Sequence, residues 1–135
     1  MGSPAEYVIM PTGNEVDVND QEPVLDLVHL SRQTLGDASL ETELLTLFER
    51  QAQQLALRLS EPGGAMEGRQ RAGLAHMLTG SARVIGAFGV ARAAEAYEAA
   101  LKSGSEEAAA SELRRLTGAI ATVRQTISNL LERVG

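Results

Sequence analysis

The chain has no cysteine and no tryptophan, and aromatic residues make up only 3% of it. Without cysteine there can be no disulfide, no thiolate nucleophile and no Cys-based zinc site. That usage suits a reducing compartment, and a cytoplasmic location is the expectation. Too few aromatics remain to build a base-stacking platform. Basic residues are also in short supply: 12 Lys and Arg stand against 18 Asp and Glu, a formal net charge of -6. A phosphate-backbone binder needs a basic stripe, so nucleic acid is not an expected partner. No apolar run reaches the roughly 18 to 20 residues of a membrane span, so a membrane is not expected either. The first residues lack the basic-then-apolar order of a secretion signal.

Ala, Leu, Glu and Arg dominate what is there, and these favour helices. The length of 135 residues allows about one domain around one core. Residues 1–22, "MGSPAEYVIMPTGNEVDVNDQE", show no sustained period and mix Pro, Gly, Asn and Asp. They predict a flexible N-terminal tail, although the short "EYVIM" could add a strand or pack on the rest. Residues 23–135 predict the folded domain.

Pro23 suits a first helical turn, and Val24, Leu27, Val28 and Leu35 mark a short helix stopped at Gly36. A second helix is expected from about 38 to about 60, with Leu40, Leu44, Leu47, Phe48, Leu55 and Leu59 as its stripe. Pro62, Gly63 and Gly64 end it. A third runs from about 66 to about 85, and a fourth from about 88 to about 102, with Val90, Ala94, Tyr97 and Leu101 on one face. Ser103 or Ser105 could cap the last helix. That helix carries Leu113, Leu116, Ile120, Val123, Ile127, Leu130 and Val134 in alternating steps of three and four. The pattern predicts an all-α fold, an antiparallel up-down four-helix bundle with a short extra N-terminal helix.

One histidine of the two stands in "AHMLTGSARVIGA" on the third helix. On a helical wheel, Leu74, Leu78, Ser81 and Ile85 fall within about 40° of the side opposite His76. With Met77 and Val84 flanking, they are the expected core face, and His76 points to solvent. Beside His76 lie Arg69, Ala72, Gly73, Thr79, Gly80 and Arg83. Two glycines there cost helix stability, about 1 kcal/mol each relative to Ala. Close packing of a neighbouring helix would explain them. So would the approach of a bulky partner to the imidazole, with Arg69 and Arg83 attracting an anion it carries. An ordinary imidazole titrates near about pH 6.5, and its neutral ring is a competent nucleophile toward phosphorus. Such a transfer needs positioning and charge neutralisation above all. There is no Gly-rich nucleotide loop and no HExxH motif, so a second protein would have to complete the chemistry. His29, on the short first helix, predicts a surface or capping role.

These residues resemble the histidine-containing phosphotransfer (HPt) domains of bacterial two-component phosphorelays. The family motif is a His, a Lys three residues later, a Gly directly after it, a small residue and a closing Gly. Here His76, Gly80, Ser81 and Gly86 stand at those places. "LSRQTLGD", "ELLTLFERQAQQL" and "AAEAYEAAL" are similar to the helices around it, and the resemblance covers about residues 23 to 134. It implies a monomeric phosphocarrier, not an enzyme with its own turnover. His76 would be the phosphoacceptor, taking the group from a receiver-domain aspartate and passing it to another receiver. Gly80, Thr79, Gly73 and Arg83 would surround the phosphoryl group, and Arg69 and Ala72 would lie on the docking face. Partners would be response-regulator receivers and a hybrid histidine kinase. This chain would bind no metal or cofactor, since Mg²⁺ comes with the receiver. The family lysine is Thr79 here, and Arg83 is the expected substitute for its charge. Two other readings stand beside this one. One is a bundle that binds receivers or a kinase without being phosphorylated. The other is a dimerisation module using the last helix.

Overall fold

The computed structural model describes residues 22–61 and 66–134. The predicted tail, apart from Glu22, and the Pro62–Gly64 break lie outside the described residues. Five helices follow one another: α1 (Leu27–Thr34), α2 (Ala38–Leu59), α3 (Gly68–Ile85), α4 (Phe88–Ser103) and α5 (Glu106–Val134). Among the described residues there is no strand. Helices α2 to α5 form the antiparallel bundle, each packed on the next and α5 closing back on α2. Helix α1 lies across α2 and α3.

The caps explain most boundaries. Asp37 accepts from the Leu40 N–H at 3.0 Å and starts α2. Ser105, not Ser103, caps α5 by accepting from the Ala108 N–H at 3.1 Å. Glu67 and Gln70 form a reciprocal capping box at α3. The first helix departs from expectation. It begins at Leu27 behind the cap Asp26, so Pro23 and Val24 lie outside it. Its buried side chains are Leu30 and Thr34, with Leu25 just ahead of it, while Leu27, Val28 and Leu35 are exposed. Leu35 is instead the left-handed residue that ends the helix, at φ 55°.

Helix α5 spends its apolar seam inside this chain. Leu116, Ile120, Val123 and Ile127 are all buried in the common core. A dimer built on that seam would have to open the bundle. Leu30, Leu45, Phe48, Leu55, Leu59, Leu78, Val90 and Tyr97 complete the core. Leu40 and Leu47, expected in the α2 stripe, are exposed, and Leu45 and Ala52 take the inner positions.

The seam between α3 and α4 is made of small residues. Ala75, Ala82, Ala87 and Ala94 are fully buried and Ala91 nearly so. The cap residue Ala87 and, on α4, Ala91, Ala94 and Glu98 recur at helical spacing and form one stripe. Such a seam lets two helices approach closely. It also rotates α3 relative to the expectation. The buried face, Ala75, Leu78, Thr79, Ala82 and Ile85, is turned by about 50° on the wheel from the side opposite His76. Met77 and Val84, expected beside the core, are 50% and 45% exposed. They lie on the same open face as the histidine.

Candidate functional site

The open face of α3 carries His76, with its side chain 78% exposed. Gly73, Gly80, Arg69 and Arg83 are exposed around it, and Ala72 is partly covered. A Cβ added at Gly73 or Gly80 would meet nothing within 4 Å. No neighbouring helix therefore demands these glycines. Of the two explanations for them, close packing within the chain is removed. Gly86 is the contrast. Its φ is +87°, and a Cβ there would come within 2.6 Å of the Asp26 carbonyl oxygen. Gly86 belongs to the architecture, whereas Gly73 and Gly80 leave space outside it.

Thr79 departs from its expected placement beside His76. It is only 4% exposed, and its hydroxyl donates to the Ala75 carbonyl at 3.0 Å. The wheel places it toward α4, in the small-residue seam, because α3 is rotated. It offers no donor to the open face. Arg83 is exposed as expected, but its guanidinium pairs with Glu95 on α4. Its backbone carbonyl receives the His29 ring Nε2–H at 2.8 Å. His29 thus caps the last turn of α3 from α1, and its ring stands edge-on to Phe88 with centroids 5.0 Å apart.

Two residues on the α4 side of His76 carry no motif signal. Glu98, on α4, places Oε1 3.4 Å from His76 Nδ1. This is long for a hydrogen bond but within ion-pair range, and such contacts tighten when charge develops. The other oxygen of Glu98 lies 3.0 Å from Lys102 Nζ. The i,i+4 spacing of this Glu–Lys pair is the one local signal the sequence carries for it. Glu98 is mostly covered, with its side chain 17% exposed. Its carboxyl is held below the ordinary glutamate range, chiefly by the hydrogen bond from Lys102. Burial opposes this, and the Lys102 charge and His76 add to the lowering.

A depressed carboxyl stabilises the fold above its unfolded pKa, and that stabilisation is lost as pH falls through the folded value. Glu98 should therefore keep its grip on Nδ1 and Lys102 down to pH values below the ordinary glutamate range. The ¹³C carboxyl titration of Glu98 checks this. Its midpoint should be low in the native chain and climb toward the ordinary value in Lys102→Gln. An unmoved midpoint would place the cause elsewhere.

The two flanks of His76 differ. Toward α4 the neighbours are charged: Glu98, Lys102 and the Arg83–Glu95 pair. Toward α2 they are apolar. A groove of about 400 Å³ runs there between Leu44, Leu47, Phe48 and Gln51 on α2 and Ser81, Val84 and Ile85 on α3. Among the described residues no group of three or more His, Asp or Glu is placed to hold a metal ion. No helix among them is long and apolar enough to cross a membrane.

Comparison with curated proteins and with solved structures gave no match to either. The family model described as the Hpt domain does match, over residues 42–126. That span runs from the first turns of α2, through the whole of α3 with His76, to the later turns of α5, and leaves α1 outside. Hpt domains are helical bundles that act as phosphotransfer modules in phosphorelays. A helical bundle that presents one open histidine on a face of unobstructed glycines has that form, and the chain belongs to the Hpt domain family.

Proposed function

We propose that this chain is a monomeric, cytoplasmic phosphocarrier that accepts a phosphoryl group on His76 from a receiver-domain aspartate and passes it to a second receiver. The contact between Nδ1 and Glu98 is the observation that carries the reading. A proton on Nδ1, directed at the carboxylate, leaves the Nε2 lone pair free in the solvent. Nε2 attacks the phosphorus of the aspartyl phosphate. The N–P bond forms, the P–O bond to the aspartate breaks, and the carboxylate leaves with the electron pair. The Nδ1 proton stays on the ring, which becomes a phosphorylated imidazolium facing Glu98. Donation to the next aspartate is the same exchange in reverse.

The receiver brings the aspartate and the bound Mg²⁺, so the chain needs no metal, cofactor or turnover of its own. Gly73 and Gly80 provide clearance for the receiver's acidic pocket. The Leu44–Leu47–Val84 groove with Met77 provides apolar area for its docking, and Arg69 and Ala72 extend the face. A hybrid kinase would reach His76 through its own receiver.

The test is transfer from receivers loaded with phosphate. Label should appear on this chain and be acid-labile and alkali-stable, as a phosphoramidate is. The inward position of Thr79 favours one second reading, a bundle that only binds. Complex formation with receivers and no label from any of them would choose that reading.

A further inference from the structure

The family's motif lysine has no counterpart in the open face, because Thr79 stands in its place and is buried. The phosphoryl group on His76 would still bring about two negative charges to that face. Arg69 and Arg83 are each one heptad from His76, about 10 Å along the helix, and Arg83 is held by Glu95. The chain's single lysine, Lys102, is closer in connectivity. Its ammonium holds one oxygen of Glu98 while the other faces the imidazole. Its side chain is 68% exposed, so it can leave Glu98 without a change in the core.

The geometry points to Lys102 as the cation that receives the phosphoryl group on His76, an inference that rests on His76 being the phosphoacceptor. Before transfer the ring is neutral, and Lys102 is the cation that Glu98 holds. After transfer the ring carries the positive charge at Nδ1–H, directly before Glu98. The carboxylate then has a cation without Lys102, and the new dianion lies on the same exposed face. Lys102 exchanges Glu98 for the phosphoryl oxygens. No proton leaves and no covalent bond to Lys102 forms. A flexible, compact ammonium suits this exchange better than a planar guanidinium fixed in a pair. A lysine from α4 thus stands in for the missing lysine of α3.

Reductive ¹³C-methylation keeps the charge of an amine and marks only Lys102 and the α-amino group. The labelled full chain is treated with potassium phosphoramidate. The Lys102 methyl resonance should move as phosphohistidine forms, and should stay still in His76→Gln. Unmethylated Lys102→Gln should form phospho-His76 about fivefold more slowly than wild type, the size of an exposed ion pair. Lys102→Arg should restore most of that rate. A stationary Lys102 resonance, with equal rates in wild type and Lys102→Gln, overturns the role of Lys102 alone. Absence of label at His76 in the wild type overturns the phosphoacceptor reading as well.

Discussion

His76→Gln is expected to lose all phosphoryl acceptance while keeping the native fold. Glutamine has no lone pair on nitrogen able to attack phosphorus, so the chemical step disappears rather than slows. The side chain is 78% exposed and touches only Glu98 among the ion pairs, so removing it leaves the core intact. Stability should change by no more than about 0.5 kcal/mol, as for other surface substitutions. The measurement is paired: transfer from a phosphorylated receiver, and urea unfolding of the same preparation. Label that survives the substitution would move the site to His29, the one other histidine. His29 is a poor candidate, because its Nε2 already faces the Arg83 carbonyl. A loss of label accompanied by unfolding would mean that the Glu98 contact supports the bundle as well.

The second large effect concerns Gly80 within α3 and Gly86, which ends it, and the signs are opposite. Gly86→Ala forces a side chain into the left-handed region, which costs about 1–2 kcal/mol. It also drives the new methyl against backbone, the Asp26 carbonyl. The Asp26 N–H donates to the Gly86 carbonyl at 2.9 Å, so α1 and the α3–α4 turn must part. A total loss of about 2–4 kcal/mol is expected, with a fall in Tm of roughly 10 °C or more. Gly80→Ala occupies open space in a helix and should raise stability by about 0.5–1 kcal/mol. Gly80→Leu should also fold, yet transfer from a receiver should fall by roughly tenfold or more as the partner's approach is blocked. Its reaction with phosphoramidate, a small donor, should persist. If Gly80→Leu transfers at the native rate, the clearance explanation of that glycine fails.

The architecture was readable because α5 declares itself through large apolar residues. Leu116, Ile120, Val123 and Ile127 alternate at three and four, and all four are buried. The orientation of α3 was less legible for a physical reason. Its inner stripe is Ala75, Thr79 and Ala82, which carry little hydrophobic weight, while Met77 and Val84 carry much and face outward. A wheel weighted by hydrophobicity turns toward the wrong flank wherever a helix uses small residues inside and keeps large ones for a partner. Helix α1 misleads in the same way, with Leu27, Val28 and Leu35 outside and Thr34 inside. Thr34 is tolerated there because its hydroxyl reaches the Leu30 carbonyl at 3.2 Å and Glu41 at 3.1 Å.

The histidine and its glycines were legible because motif residues lie within one helix. Glu98 and Lys102 were not, since nothing local connects them to His76. Only the pairing of α3 with α4 brings them together, and pairing is a property of the whole bundle.

The alanine seam of α3 and α4 has a consequence for that pairing. A glutamate side chain is short, and it spans the distance to the imidazole only because alanines set the gap between the two helix axes. The seam is in effect a ruler for the site. One larger residue at Ala91, two helical turns from Glu98 on α4, would spread the axes and separate Glu98 from His76. The distance between an exposed ring and its carboxylate is thereby set by buried methyl groups.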